Sequence, residues 1–124
     1  MRRPSPFGAF AIFLLEASAI AQILGTSSEW PDAATPLQWL VVAGQVGMIA
    51  SGLAGGVAVL LRRRWAEAAG WAWTASTVTA GTLAPVAYGG ATWAAASVGG
   101  AVCLLLGAII VWLIRRAVPA PVAR

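Results

Sequence analysis

Histidine and lysine are missing from this chain, and cysteine occurs once. Histidine is the commonest ligand of zinc and a frequent axial ligand of haem, so a metal or haem site built by this chain alone is not expected. Cys103 has no second thiol to pair with inside the chain and reads as a small packing residue within a helix. The acids are Glu16, Glu29, Asp32 and Glu67. Glu16 and Glu67 fall at different depths of their helices, so they make a poor acid–base pair. No glycine-rich phosphate loop and no metal-ligand cluster is present. The expectation is a non-enzymatic protein with no catalytic residue, no metal and no cofactor.

Charge is also scarce. Charged residues make up 10% of the 124-residue chain, against roughly 25% in a soluble domain. Such a chain cannot cover a water-facing surface. What it has instead is apolar: 60% hydrophobic residues and a mean hydropathy of +0.81. Four apolar runs span about 7–25, 37–61, 65–88 and 91–114. A helix needs about 20 residues to cross the hydrocarbon core, and strand-like alternation is missing. The pattern predicts an all-α membrane protein: a single domain of four transmembrane helices, with a loose tail over 117–124. The start MRRPSPFGAFAIFLLEASAIA has a signal-like basic start and small-residue end. The apolar run resumes through Ile23 and Leu24, so it reads as a retained helix.

All eight basic residues are arginines. They sit where helices end: Arg2 and Arg3, Arg62 to Arg64, Arg115 and Arg116, and Arg124. This placement argues against nucleic acid as a partner. With the N-terminus in the cytoplasm every arginine falls inside, and Glu29 and Asp32 fall outside. Basic bias in short loops sets orientation. The predicted topology is N-in, C-in, multi-pass, in a bacterial inner membrane. Ser5-Pro6 and Thr35-Pro36 fit N-caps followed by proline. Thr26 to Pro36 reads as an irregular outer loop. The RRR and YGGAT connections are short enough to make antiparallel neighbours in an up-down bundle.

Trp30, Trp39 and Trp93 map to the outer interface, and Trp65 and Trp112 to the inner one, where indole settles at headgroup depth. Trp71 and Trp73 lie about 9–12 Å further along helix 3 at 1.5 Å per residue and are expected to face lipid, with a partner helix or a bound apolar molecule as the alternatives. Small residues repeat every four positions. The rows are Ala17, Ala21 and Gly25; Ala43, Gly47, Ser51 and Gly55; Ala72, Ser76, Ala80 and Ala84; and Ala91, Ala95, Gly99, Cys103 and Gly107. In lipid, close backbone approach drives helix association. Gly47, Ser51, Gly55, Ala95, Gly99 and Gly107 are therefore candidate packing positions, within the chain or against partners. Ile110 and Val111 read as lipid-facing.

Glu16 is the one acid near the middle of a span. A central acid costs on the order of 3 kcal/mol. The phenylalanines, isoleucines and leucines of the same run return about 3–5 kcal/mol, so insertion still works. No arginine lies at that depth, and desolvation favours the neutral acid. Gln45, Ser76 and Thr77 are the polar side chains expected to meet it, so Glu16, Gln45, Ser76 and Thr77 form the candidate intramembrane polar site. Pro85 frees the Gly81 carbonyl and is expected to bend helix 3.

The stretch LLEASAIAQILGT, Leu14 to Thr26, loosely resembles the first helix of the small multidrug resistance transporters. That resemblance implies proton exchange at Glu16 against cationic drugs. It covers about a tenth of the chain. Helix 3 carries TASTVTAGTLAPVAY in place of the family's aromatic and glycine signature, so membership is not adopted. The expected role is an accessory or assembly subunit of a larger respiratory, photosynthetic or transport complex, with the lipid bilayer and other subunits as partners. The alternative is a homo-oligomeric proton-coupled carrier using Glu16.

Overall fold

The computed structural model describes residues 5–118, and the backbone alone at 27–29. Arg2, Arg3, Arg124 and the tail from Pro119 lie outside the described residues, as does the Glu29 side chain. The chain forms α1 (Pro6–Thr26), a 3-10 helix η1 (Ser27–Asp32), α2 (Pro36–Leu60), α3 (Ala66–Gly89) and α4 (Trp93–Ala117), packed as a compact all-helical bundle. α1, α2 and α4 are each long and apolar enough to cross a membrane. α3 has the length, 24 residues, but its hydroxyl residues Thr74, Ser76, Thr77, Thr79 and Thr82 lower its apolarity.

The caps follow from local chemistry. Ser5 Oγ accepts from the Gly8 N–H at 3.1 Å. Thr35 Oγ1 accepts from the Gln38 N–H at 3.1 Å, and Gln38 Oε1 accepts from the Thr35 N–H at 3.3 Å, a reciprocal capping box. Gln38 Nε2 also donates to the Ala87 carbonyl at 3.4 Å, tying the start of α2 to the end of α3. α2 ends in a left-handed residue, Arg62 (φ 53°), whose neighbour Arg63 donates its N–H to the Ala58 carbonyl at 2.8 Å. Glycine is the usual residue at such a stop. α3 stops at left-handed Gly90 (φ 65°), and Thr92 caps α4 by accepting from the Ala95 N–H.

Two local expectations need correction. The connection after Thr26 is a 3-10 helix over most of its length, with Pro31 inside it. α4 runs on through Arg115 and Arg116 to Ala117. Cations are favourable in a last turn, Arg115 reaches Glu67 on α3 at 2.6 Å, and Pro119 then follows in the sequence. α3 continues through Pro85 to Gly89, in keeping with the apolar run over about 65–88.

α2 packs most extensively on α3, then α3 on α4 and α1 on α2, and the α1–α4 seam is the weakest of these four. The buried faces mix steps of three and four, as Gly44, Met48, Gly52, Gly55 and Val59 do on α2. A strict row of every fourth residue turns 400° per step at 3.6 residues per turn, so it precesses about 40° each time. The small-residue rows therefore spiral out of the interfaces. Ala17, Ala21, Gly25, Ala43, Ala72 and Ala95 are exposed, while Gly55, Ala80 and Gly107 are buried. The same geometry overturns the lipid-facing reading of Ile110 and Val111. They are only 3% and 2% exposed, and Val111 lies with Ile114 against Gly70 of α3.

Candidate functional site

The candidate polar residues separate in space. Glu16, on α1, is half-buried with its carboxyl over Gly56, in the space a side chain there would fill. Among the described residues it has neither a hydrogen bond nor an ion pair. Ser76 faces α2, where its hydroxyl fills the space beside Gly47. Ser51 lies on the same helix as Gly47 and donates back to the Gly47 carbonyl at 2.6 Å. Gln45 and Thr77 come together on the wall of a 480 Å³ cavity that Glu16 does not line.

All four helices build this cavity. Leu14, Ser18, Gln22 and Thr26 form the α1 wall at steps of four; Gln45 and Met48 come from α2. Trp73, Thr77, Ala80, Gly81 and Ala84 come from α3, and Cys103, Leu106, Ile109 and Ile110 from α4. Leu106 and Ile109 are exposed and mark its rim. The cavity thus opens between α1 and α4, the loosest of the four seams between neighbouring helices. No arginine, aspartate or glutamate lines it.

Two indole N–H groups organise its polar wall. Trp73 is 3% exposed and donates through Nε1 to Ser18 Oγ at 3.0 Å. The Ser18 hydroxyl donates in turn to the Leu15 carbonyl at 2.8 Å. Trp73 is therefore a core residue, contrary to its lipid-facing reading, while Trp71 is exposed. Trp30 donates through Nε1 to Gln45 Oε1 at 2.8 Å. Ser18 and Gln22 had no part in the sequence-based site. The signal that pointed to Ser18 was Trp73 itself, since a deep indole needs an acceptor for its N–H.

The remaining packing positions line helix seams. A Cβ on Gly99 would lie 3.2 Å from the Gly81 carbonyl oxygen, the one freed by Pro85, so that carbonyl turns toward bare backbone on α4. Gly107 lies against Thr74, and Gly55 against Leu15 and Ala69. Trp39, Trp65, Trp93 and Trp112 are exposed. Trp112 meets Phe7 edge-on at 5.7 Å and carries the Arg116 guanidinium 5.2 Å from its ring centre.

Comparison with known protein families, with characterised proteins and with solved structures finds no match in any of the three.

Proposed function

We propose that the chain is an integral protein of a bacterial inner membrane, an up-down antiparallel four-helix bundle with both termini cytoplasmic. Its role is non-enzymatic: an accessory or assembly subunit of a larger membrane complex. The observation that carries this reading is the outward face of α3. Ala68, Ala72 and Ala75 are exposed there beside Trp71, on the least apolar of the four helices. In lipid, small side chains gain most from a second helix whose backbone approaches closely. The other outward faces carry bulky apolar groups suited to lipid, such as Phe10, Phe13 and Leu24 on α1 and Val98, Val102 and Leu105 on α4.

Arg62 supports the orientation. A left-handed stop that favours glycine holds an arginine within Arg62 to Arg64. A local conformational cost of roughly 1 kcal/mol is borne where charge fixes topology.

Gentle solubilisation from the native membrane tests the role. A stoichiometric set of other chains is expected to co-purify. Recovery of this chain alone, or only with copies of itself, would remove the subunit reading and leave the proton-coupled carrier. That rival draws on the unpartnered Glu16 carboxyl, but the acid lies apart from the cavity, which separates its proton site from that space. A reporter fused after Arg124 tests the orientation, and activity outside the cytoplasm would reverse it.

A further inference from the structure

One end of the bundle gathers most of its charge. Arg62, Arg63 and Arg64 lie in the connection from α2 to α3. Three residues further on, Glu67 in the first turn of α3 holds Arg115 of α4 at 2.6 Å, which sets Arg115 and Arg116 at the same end. Phe7 of α1 meets Trp112 of α4 there, edge-on at 5.7 Å, so all four helices reach it. All five arginines are exposed. Elsewhere the described side chains carry only the charges of Glu16 and Asp32. With five arginines to one glutamate, this end keeps a large excess of positive charge among the described residues.

Membrane orientation needs basic residues at one end, but it needs no particular arrangement of their side chains. Arg116 has one. Its guanidinium lies 5.2 Å from the centre of the Trp112 ring, and Phe7 braces the same ring. Trp112 is half-exposed, and an exposed indole settles at headgroup depth. A cation stacked on that ring is kept at the same level. Trp65 is equally exposed and follows Arg64 directly, so the loop arginines stand beside a second such ring.

This arrangement selects among anionic partners. A nucleic acid or an acidic protein would approach from water along the bundle axis and would need only the charge. The indoles of Trp65 and Trp112 favour instead the layer where acyl chains meet headgroups. A phospholipid offers both halves of the match, hydrocarbon for the rings and phosphate for the guanidiniums. Arginine binds phosphate oxygens through parallel N–H groups, and basic clusters beside membrane helices attract anionic lipid.

We propose that the arginine end of the bundle is a binding surface for anionic phospholipid headgroups, with Arg116 on Trp112 and the loop arginines Arg62, Arg63 and Arg64 as its phosphate contacts. Glu67 lowers the affinity of this surface by neutralising Arg115. The inference rests on the membrane placement proposed above, and not on the orientation or the assembly role.

The purified chain is mixed in neutral detergent with equal amounts of a phosphatidylglycerol and a phosphatidylcholine of the same acyl chains, and bound lipid is counted by native mass spectrometry. Phosphatidylglycerol adducts are expected to dominate at low salt and to fall away as salt rises. One basic residue beside an anionic surface is worth about fivefold in affinity. Arg116→Gln should therefore weaken phosphatidylglycerol binding about fivefold, and Arg116→Lys should restore most of it. Glu67→Gln should tighten binding by a similar factor, because it releases Arg115 from an exposed pair of little weight for folding. Phosphatidylcholine binding should not move in any variant. Equal counts of the two lipids on the unaltered chain would leave the arginines to orientation or to a soluble acidic partner, and would overturn the proposal. An unchanged or weaker affinity in Glu67→Gln would overturn it too. The comparison of the two lipids decides the matter even where a variant fails to fold. A chain that stays monodisperse in water without detergent would sink the membrane placement and this inference with it, whereas absence of lipid preference in a detergent-requiring chain sinks the inference alone.

Discussion

A methyl group added at Gly107 should loosen the α3–α4 seam by an amount the contact geometry defines. The new Cβ would fall 2.7 Å from Thr74 Cβ and still closer to Thr74 Cγ2 and Oγ1. Thr74 is buried, and its hydroxyl is bonded to the Gly70 carbonyl at 2.8 Å. Threonine branches at Cβ, so no rotation about χ1 removes the contact with Cβ itself. The helices must separate. Overpacking of this kind costs about 1–3 kcal/mol, and the better helix propensity of alanine returns up to ~1 kcal/mol. Gly107→Ala should therefore lose up to about 2 kcal/mol. Gly100 makes a graded comparison. There the closest atom is the Thr82 hydroxyl, while Thr82 Cβ lies 3.4 Å away, so a χ1 turn relieves the contact and Gly100→Ala should be close to neutral. Gly25 has nothing within 4 Å, and Gly25→Ala should be neutral or stabilising. Reversible unfolding in mixed micelles, followed by circular dichroism, gives the three free energies. The reasoning fails if the variants are indistinguishable, or if Gly25→Ala is the worst of them.

Ile110→Ala should destabilise by about 2–5 kcal/mol, because the side chain is buried and the loss leaves a cavity. Val102→Ala, on an exposed position of the same helix, should change the same unfolding free energy by under about 1 kcal/mol; equal losses would contradict the observed rotation of α4. Glu16→Gln and Glu16→Leu should both leave stability within about 1 kcal/mol, since no described polar group bonds the carboxyl. A loss confined to the leucine variant, measured the same way, would reveal a hydrogen-bonding role. Arg115→Ala should cost at most about 1 kcal/mol, because its ion pair with Glu67 is exposed, and the difference should shrink in high salt. A larger, salt-independent loss would mean that this contact supports the end of the bundle in another way.

Much of the helical order was legible without the structure. The caps at Ser5 and Thr35 and the stop beyond Gly89 depend on residues within a few positions of one another, so local chemistry was sufficient to place them. The existence of four long helices followed equally from the length and spacing of the apolar runs. The 3-10 helix at Ser27–Asp32 was missed because turn-forming residues are compatible with several tight backbones.

The rotation of each helix about its own axis was not legible. Glu16, Gln45, Ser76 and Thr77 all sit within apolar runs, yet they face three different surroundings. At 100° per residue, one or two positions decide whether a side chain meets α2, the cavity or the outside. That choice is made by neighbours far away in sequence, such as Gly56 beneath Glu16 and Gly47 beside Ser76. The cavity is the extreme case. It is volume that four helices jointly leave unfilled, so no local pattern encodes it. Sequence alone determined which segments are helical and apolar, because those properties arise within a turn or two of chain. Which polar groups meet, and which stay apart, arose only when the helices packed, because contact depends on axial rotation and on side chains brought in from every other helix.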